Sequence, residues 1–155
     1  MKPFGLRVVF LLAFLGGCAQ MMGNDSGPQI VNAQTAEKLH GREWDLKGLT
    51  VDGRQVVMDL EAHITISFGA NGQVAGFAAV NRFTGPYALS ADGKLSWGKP
   101  GFATTRKMGP PELMEKERAY LDGLRKTNVA ILAKHTLLLQ SDDSATVLTF
   151  DETGY

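Results

Sequence analysis

Three glycines, each preceded by aspartate or asparagine, constrain the fold of this chain more than any other feature. They occur in Asp52-Gly53, Asn71-Gly72 and Asp92-Gly93, between segments in which apolar and polar residues alternate. Such pairs favour the tight turns that join neighbouring antiparallel strands. Parallel strands would instead need long crossover connections. The sequence therefore predicts an antiparallel sheet.

The alternation between these turns assigns faces to the strands. In residues 63–68 it predicts an inward and an outward set: Ile64, Ile66 and Phe68 face the core, and His63, Thr65 and Ser67 face solvent. Trp44 and Leu46 share one face of an earlier strand. Residues 73–83 are predicted to form a central strand that continues through 87–89. With further segments near 56–60, 95–97, 129–132, 137–139 and 147–150, about seven or eight strands are expected.

One amphipathic helix interrupts the strands. Pro110-Pro111 marks its start, because proline is well placed in the first turn of a helix. Apolar residues then form one stripe at helical spacing: Leu113, Met114, Tyr120, Leu121 and Leu124. Glu117 is the exception within this stripe. Because one helix cannot cover a flat sheet of this size, we expect an α+β fold, an antiparallel, partly open (cracked) β-barrel around one inserted helix.

Composition and motifs exclude several functions. The chain has 155 residues, of which 16 are basic and 16 acidic, so the clustered positive surface needed for nucleic-acid binding is not expected. No nucleophile elbow, His-Glu-x-x-His motif or phosphate-binding loop occurs. His40, His63 and His135 are far apart in sequence and lie near loops or on outward strand faces. We therefore expect no metal, no cofactor and no catalytic residues.

The N-terminal residues have the pattern of an export signal. Lys2 and Arg7 come before an apolar run at 8–15. This run is shorter than the roughly 20 residues of a transmembrane helix. Its length is typical of a secretory signal. The run ends in Leu15-Gly16-Gly17-Cys18, which resembles the lipobox of bacterial lipoproteins. We expect a signal peptide at 1–17 and lipidation of Cys18. The alternative is a plain secretory signal with a coincidental cysteine.

Residues 18–34 are expected to form a tether between a lipid anchor and the folded domain. They lack periodicity and contain turn-forming residues. Ala19, not aspartate, follows the cysteine. By the sorting rule of enteric-type bacteria, this implies attachment through the lipid anchor to the periplasmic face of the outer membrane.

A glycine and an asparagine interrupt the predicted central strand. Gly76 is expected to mark a bulge or a close backbone approach. Asn81 has apolar neighbours, so we expect it to be buried and hydrogen-bonded to the backbone of the loop at 104–108.

Three basic residues are expected beside this asparagine, namely Arg82, Arg106 and Lys107. One interpretation makes them solvated loop charges with Glu117 as a partner. The other makes them a small cationic patch that contacts an anion or a peptide.

With these residues described, the chain resembles the META-domain family, which includes the HslJ-like heat-inducible lipoproteins. The resemblance covers about 41–150, and its carriers begin with Gly41-Arg42-Glu43-Trp44-Asp45-Leu46. They continue with Gly76, Asn81, Arg82, Phe83, Gly85 and Tyr87, and then Thr105, Arg106, Pro110 and Glu112. The domain is expected at 35–155. Its structural motif is expected to comprise Trp44, Gly76, Asn81, Arg82, Gly85, Tyr87, Thr105 and Arg106.

The resemblance implies a non-enzymatic cell-envelope lipoprotein linked to stress and antibiotic tolerance. Its fold is similar to that of a type III secretion pilotin, which can bind lipid. Two roles follow: a structural or protein-interaction module with an envelope protein as partner, or a binding module for a hydrophobic, acyl-chain ligand or a pilotin-like partner. An open interior cavity would favour the ligand, and an interior filled by the helix would favour the protein partner. A cleft that gathered His63 with a carboxylate and a hydroxyl would indicate a hydrolase.

The chain departs from the family pattern at two positions together. Members commonly have Gly-Cys-Asn where this chain has Ala79-Val80-Asn81, and they commonly have a cysteine where it has Gly109. The paired absence resembles a lost disulfide. The resemblance therefore predicts that Val80 and Gly109 lie close together.

Overall fold

The computed structural model describes residues 27–59 and 62–154. They form eleven strands: β1 (Gln29–Ile30), β2 (Glu43–Val51), β3 (Arg54–Val56), β4 (Ile64–Phe68), β5 (Gln73–Ala78), β6 (Arg82–Leu89), β7 (Leu95–Trp97), β8 (Ala103–Thr104), β9 (Val129–Ala133), β10 (Thr136–Gln140) and β11 (Val147–Glu152). A 3-10 helix spans Ala36–Leu39, and one α-helix, α1, spans Pro111–Lys126. The predicted signal peptide, Cys18 and Ala19 lie outside the described residues.

The strands form one antiparallel sheet that curls almost into a closed barrel. Their order is β1-β9-β10-β11-β2-β4-β5-β6-β7, with β3 added to β2 and β8 added to β6. At the seam, Lys94 forms a single bridge with Val129, and the amide of Leu95 donates to the carbonyl of Asn128 over 2.7 Å. Because this seam has no full ladder, the barrel is cracked, and the predicted α+β class is confirmed.

The predicted central strand is in fact two strands. β5 and β6 pair with each other, from Gln73 opposite Pro86 to Phe77 opposite Arg82, and the chain reverses at Ala79-Val80. Ala79 has a φ of 76°, a left-handed value that hairpin turns usually assign to glycine or asparagine. The turn therefore forms without the sequence signal on which the prediction depends. The division of the predicted central strand into β5 and β6, together with the two-residue strands β1 and β8, raises the number of strands from the predicted eight to eleven.

Two other boundaries differ from the prediction. β1 lies within the predicted tether, where Gln29 pairs with Leu132, and Val31 after it is 1% exposed. The stretch from Gln29 onward thus belongs to the fold, because a distant strand provides hydrogen bonds that the local sequence does not reveal. The strand predicted at 56–60 ends at Val56, and Leu60 lies outside the described residues.

Helix α1 packs one face against the interior of the curled sheet. It begins at the predicted proline pair. Tyr120 and Leu124 are fully buried and Leu121 is 7% exposed, so these members of the predicted stripe enter the core. The ring of Tyr120 makes edge contacts with Phe83 and Phe150 on opposite sides of the barrel. The helix thus provides the apolar surface against which the inner side chains of the sheet pack. No α-helix in the described part of the chain has the length and apolar character needed to cross a membrane.

The barrel has two distinct ends. α1 begins beside the β5–β6 turn, where Gly109 contacts Val80, and finishes beside the β2–β3 turn, where Lys126 forms an ion pair with Asp52. We call this the helix end. β1 runs antiparallel to β9, so its first residue, Gln29, lies on the side of the turn that joins β9 to β10. That turn lies at the opposite end of the tilted strands, which we call the tether end.

Candidate functional site

Asn81 joins the β5–β6 turn to the loop that follows β8. Its side chain is 2% exposed. Nδ2 donates to the carbonyl of Lys107 over 3.2 Å and to Oε1 of Glu117 over 2.9 Å. Oδ1 accepts from the amide of Lys107 over 2.7 Å and from the hydroxyl of Thr105 over 2.8 Å. The prediction that Asn81 is buried and holds the backbone of this loop is confirmed.

Glu117 holds the same turn from the helix. Its Oε2 accepts from the backbone amides of Asn81 over 2.7 Å and Val80 over 3.3 Å. The carboxylate is 8% exposed and, with the bond to the Asn81 side chain, satisfies three N–H groups at the turn. A buried carboxylate requires such donors. The place of Glu117 within the apolar stripe is therefore the sequence signal for this buried role. The predicted pairing with surface cations does not take that signal into account.

The basic residues beside Asn81 are exposed. Arg82, Arg106 and Lys107 all have solvent-exposed side chains. The expectation that Glu117 is their partner is wrong, because its carboxylate binds Asn81 and the turn. Within the described residues, the ion pairs that Lys and Arg side chains form involve a different set of cations: Arg42, Lys47, Lys116, Arg125 and Lys126.

Val80 and Gly109 meet beside this site. A Cβ atom built on Gly109 would lie 3.4 Å from the Cβ of Val80 and 2.8–2.9 Å from its two γ carbons. The prediction that the two residues lie close together is confirmed. The separation is at the lower edge of the roughly 3.5–4.5 Å found between the Cβ atoms of disulfide-bonded cysteines.

Two glycines of the predicted motif allow close packing. A Cβ on Gly76 would lie 2.1 Å from the carbonyl oxygen of Thr65 and 2.7 Å from the ring of Phe83. A Cβ on Gly85 would lie 2.7 Å from the ring of Phe102. Neither position has space for a side chain, so the close approach predicted at Gly76 is confirmed.

The two aromatic residues of the motif belong to the core. Trp44 is fully buried and Tyr87 is 9% exposed. The hydroxyl of Tyr87 donates to the carbonyl of Gly69 over 3.0 Å and lies 3.1 Å from Nε2 of His40. Burial raises the pKa of the Tyr87 phenol. Tyr87 therefore fixes the β4–β5 turn and contacts His40, which was expected to face solvent.

The other histidines lie apart, each with its own carboxylate neighbour. Nδ1 of His63 lies 3.9 Å from Asp45, and Nδ1 of His135 lies 3.0 Å from Glu152. Within residues 27–59 and 62–154, no group of three or more histidine, cysteine, aspartate or glutamate side chains is placed to hold a metal ion.

A trough of about 760 Å³ crosses the outer face of the sheet and reaches Arg82 and the start of the β8 loop. Its lining includes Thr65, Phe77, Arg82, Thr84 and Thr104. Thr65 is 3% exposed, although the alternation places it toward solvent, because its neighbours on both adjacent strands surround it.

The trough also contains His63, Glu43 and Ser67, but these residues do not form a catalytic group. His63 and Ser67 are four residues apart along β4 and the residue before it, which separates their Cα atoms by about 13 Å. The hydroxyl of Ser67 donates to the carbonyl of Ala75 over 3.1 Å. The trough thus gathers a histidine, a carboxylate and hydroxyls as a hydrolase would require, but a nucleophile and its base must lie within hydrogen-bonding distance, and His63 and Ser67 do not.

Two turn aspartates have a lowered pKa. The hydroxyl of Ser90 donates to Asp92, and that of Ser141 donates to Asp143, and each hydrogen bond favours the ionised carboxyl and lowers its pKa. Their contribution to stability is present above about pH 4 and is lost as the pH falls through the lowered pKa. Both lie in turns outside the Asn81 site.

Comparison with known proteins identifies the family. The family model of the META domain matches residues 37–154. The chain belongs to the META-domain family. No curated protein matched it. An NMR structure of a protein from Burkholderia xenovorans is 29% identical, with a TM-score of 0.60 over 83% of this chain and 93% of that one.

Two further structures are similar to this META-domain protein. A second NMR structure is also 29% identical, with a TM-score of 0.52 over 76% of this chain and 93% of that one. A crystal structure of a DUF4847-family protein from Bacteroides vulgatus ATCC 8482 has a TM-score of 0.57 and covers 74% of this chain and 94% of its own. At 13% identity, the last structure supports the fold alone.

Tyr120 provides a first test of the core. Its buried hydroxyl has no hydrogen-bond partner among the described residues, and burial raises its pKa well above the ordinary value. Tyr120→Phe should raise the free energy of unfolding by about 1 kcal/mol, because it removes an unsatisfied hydroxyl and retains the ring. Chemical denaturation measures this change. Since the unfolded phenol ionises first, the wild type should also lose stability above about pH 10, and the variant should lose less.

The matched control for this experiment is Tyr87→Phe. It should lower stability, because the hydroxyl of Tyr87 donates to Gly69. A loss of stability in Tyr120→Phe comparable to that of the control would show that the Tyr120 hydroxyl has a partner in solution.

Proposed function

We propose that this META-domain protein is a lipid-anchored protein of the bacterial cell envelope, without enzymatic activity, that acts by binding another protein. The observation that carries the proposal is the filled barrel interior. Tyr120, Leu121 and Leu124 of helix α1 pack there against the inward side chains of the strands. The surfaces available for function are then external ones, such as the trough and the exposed loop beside Asn81.

The proposed location depends on the N-terminal residues. Leu15-Gly16-Gly17-Cys18 follows an apolar run of the length of a secretory signal. Acyl chains on Cys18 would contribute about 0.8 kcal/mol per buried methylene, so two or more chains give a stable anchor. Ala19 favours the periplasmic face of the outer membrane over the inner membrane.

The resemblance to heat-inducible lipoproteins supports a role in tolerance of heat or antibiotics. The alternative, an acyl-chain ligand inside the barrel, would require an open apolar cavity. The burial of the helix side chains disfavours it.

Lipidation is tested in the bacterium that encodes the protein. Mass spectrometry of the purified protein should find an N-terminus at Cys18 that carries acyl groups, and fractionation should place the protein in the outer membrane. Cys18→Ser should leave an unprocessed precursor that cannot restore heat or antibiotic tolerance to a deletion strain. A soluble mature protein with a free thiol would overturn the anchored location.

Native mass spectrometry tests the filled interior. The protein released from cells in mild detergent should carry no lipid apart from the acyl groups on Cys18, even after incubation with palmitate. A bound fatty acid that competes with a second fatty acid at a ratio of one per chain would favour the ligand over the protein partner.

A further inference from the structure

The loop after β8 is held by buried hydrogen bonds although its own side chains are exposed. Nδ2 of Asn81 donates to the carbonyl of Lys107, and Oδ1 of Asn81 accepts from the amide of Lys107. The amide of Thr105 donates to the carbonyl of Arg82, and the amide of Arg82 donates to the hydroxyl of Thr105. The side chain of Met108 is nevertheless 90% exposed. Binding residues are often found on loops that a rigid scaffold holds in place, and this loop has that arrangement.

The charged side chains of Arg82 and of the loop after β8 are all basic, and the exposed Glu112 in the first turn of α1 follows four residues after Met108. Arg82, Arg106, Lys107 and Met108 form what we call the basic loop patch. Glu117, the carboxylate that approaches the patch from the helix, is buried and binds Asn81. Because the whole chain has a net charge of zero, this is a local concentration of positive charge around an exposed apolar side chain. A surface that matches it is acidic.

The trough extends this patch across the sheet. Arg82 belongs to both, and Thr105 at the rim of the trough directly precedes Arg106. Most other lining side chains are small or carry hydroxyls, and Phe77 provides an aromatic surface. The far end of the trough contains Glu43. A carboxylate of a bound ligand would therefore be favoured near Arg82 and disfavoured near Glu43. The trough thus has a positive charge at one end and a negative charge at the other.

The patch lies at the helix end, and the chain leaves toward a lipid anchor from the tether end. Eight residues lie between Cys18 and Gly27, and the nine steps from one Cα to the next have a greatest reach of about 30 Å. The barrel height, on the order of 20–25 Å from strand lengths and tilt, would use most of that reach if the domain inverted to bring the patch to the membrane. The favoured orientation presents the patch to the periplasm, which argues for a protein and against the bilayer.

We propose that an extended acidic segment of another envelope protein binds the basic loop patch and the trough. Its carboxylates pair with Arg82, Arg106 and Lys107, an apolar socket receives Met108, and its uncharged part lies along the trough toward Glu43. This inference rests on the proposed function, since it specifies where the protein partner binds and the chemistry of the segment that binds.

Photo-crosslinking in the native bacterium tests the proposal with the full-length protein. Benzoylphenylalanine replaces Met108 in one strain and Val57 in another. Val57 is 78% exposed but lies outside the patch, so it is the matched control. We expect an adduct with an acidic segment of a second protein from position 108 and a yield at least tenfold lower from position 57.

Charge reversal separates this contact from accidental proximity. Arg106→Glu with Lys107→Glu should reduce the adduct from position 108 at least tenfold. These changes retain the Asn81 contacts, because Asn81 binds the backbone of Lys107. Arg54→Glu with Lys94→Glu changes the net charge equally at exposed sites elsewhere and should leave the adduct unchanged.

The remaining outcomes overturn the inference. These are no adduct at position 108, an adduct with phospholipid, an adduct with a second copy of this chain, or an adduct that survives the Arg106 and Lys107 reversals. The state of Cys18 is measured in the same cells. A free thiol would refute the anchored location, whereas a lipidated protein without the expected adduct would refute only the binding surface.

Discussion

Asn81→Ala is expected to lower the free energy of unfolding by about 3–5 kcal/mol, because it removes one partner of a buried carboxylate and several hydrogen bonds at once. The variant loses the contacts to Lys107 and Thr105, so the loop after β8 has no side chain to hold it. It also leaves Oε1 of Glu117 buried without its amide partner. Urea denaturation followed by circular dichroism measures the loss.

Asn71→Ala is the matched control for this prediction. Asn71 also uses its side-chain oxygen to accept from a backbone amide, that of Gln73 over 3.2 Å, but it does so on the surface. Its replacement should cost no more than about 1 kcal/mol. If Asn81→Ala costs no more than this control, the Asn81 site does not determine the stability of the helix end.

Asn81→Asp gives the same site a pH dependence. The variant places a second carboxyl where Nδ2 of Asn81 lies 2.9 Å from Glu117. Two carboxylates this close cannot both ionise without cost, so folding raises the pKa of the pair. Stability relative to the wild type should therefore be greatest at low pH and fall as the pH rises through the raised pKa. Denaturation curves between pH 5 and 8 compare the two proteins, and a difference independent of pH would exclude direct contact between the carboxyls.

The features that could be predicted from the sequence have local causes. Ile64, Ile66 and Phe68 are buried as their alternation predicts, since side chains on a strand point to opposite faces in turn. Asp52 and Gly53 both have a positive φ, as expected of an Asp-Gly hairpin turn. Each of these results depends only on residues a few positions apart.

The features that could not be predicted depend on distant residues. β1 forms because β9 lies beside it, and Gln29-Ile30 carries no strand signal of its own. Glu117 finds its partner 36 residues earlier in the chain. A carboxylate within an apolar stripe requires hydrogen-bond donors when it is buried, but the stripe does not reveal which residues provide them. The Asn81 contacts to the β8 loop could be predicted, because an asparagine among apolar residues requires backbone partners.

The β5–β6 turn shows how these two kinds of feature combine. Ala79 gives no turn signal, so the sequence predicts a continuous strand there. Its positive φ is maintained because Glu117 accepts from the amides of the two residues that follow Ala79, namely Val80 and Asn81. Tertiary contacts thus fix a backbone conformation that the local sequence does not favour.

A disulfide engineered between Val80 and Gly109 should produce the largest gain in stability. Val80→Cys with Gly109→Cys places two Cβ atoms about 3.4 Å apart before relaxation, so a small adjustment gives bridging geometry. The bridge would close a loop of about 30 residues, for which the loss of unfolded-state entropy corresponds to about 3–4 kcal/mol. Thermal unfolding in a Cys18→Ser background, which removes the competing thiol, should show a rise in Tm of about 10 °C.

The reduced double variant and the two single variants separate the bridge from the substitutions. Gly109→Cys alone should destabilise the protein, because its Cβ would meet the γ carbons of Val80 at 2.8–2.9 Å. Val80→Cys removes those carbons, so the reduced double variant should be more stable than Gly109→Cys alone. Oxidation should then add the stabilisation, and dithiothreitol should reverse it. If mass spectrometry still finds two free thiols after oxidation, the contact between the turn and the start of the helix is looser in solution than these distances require.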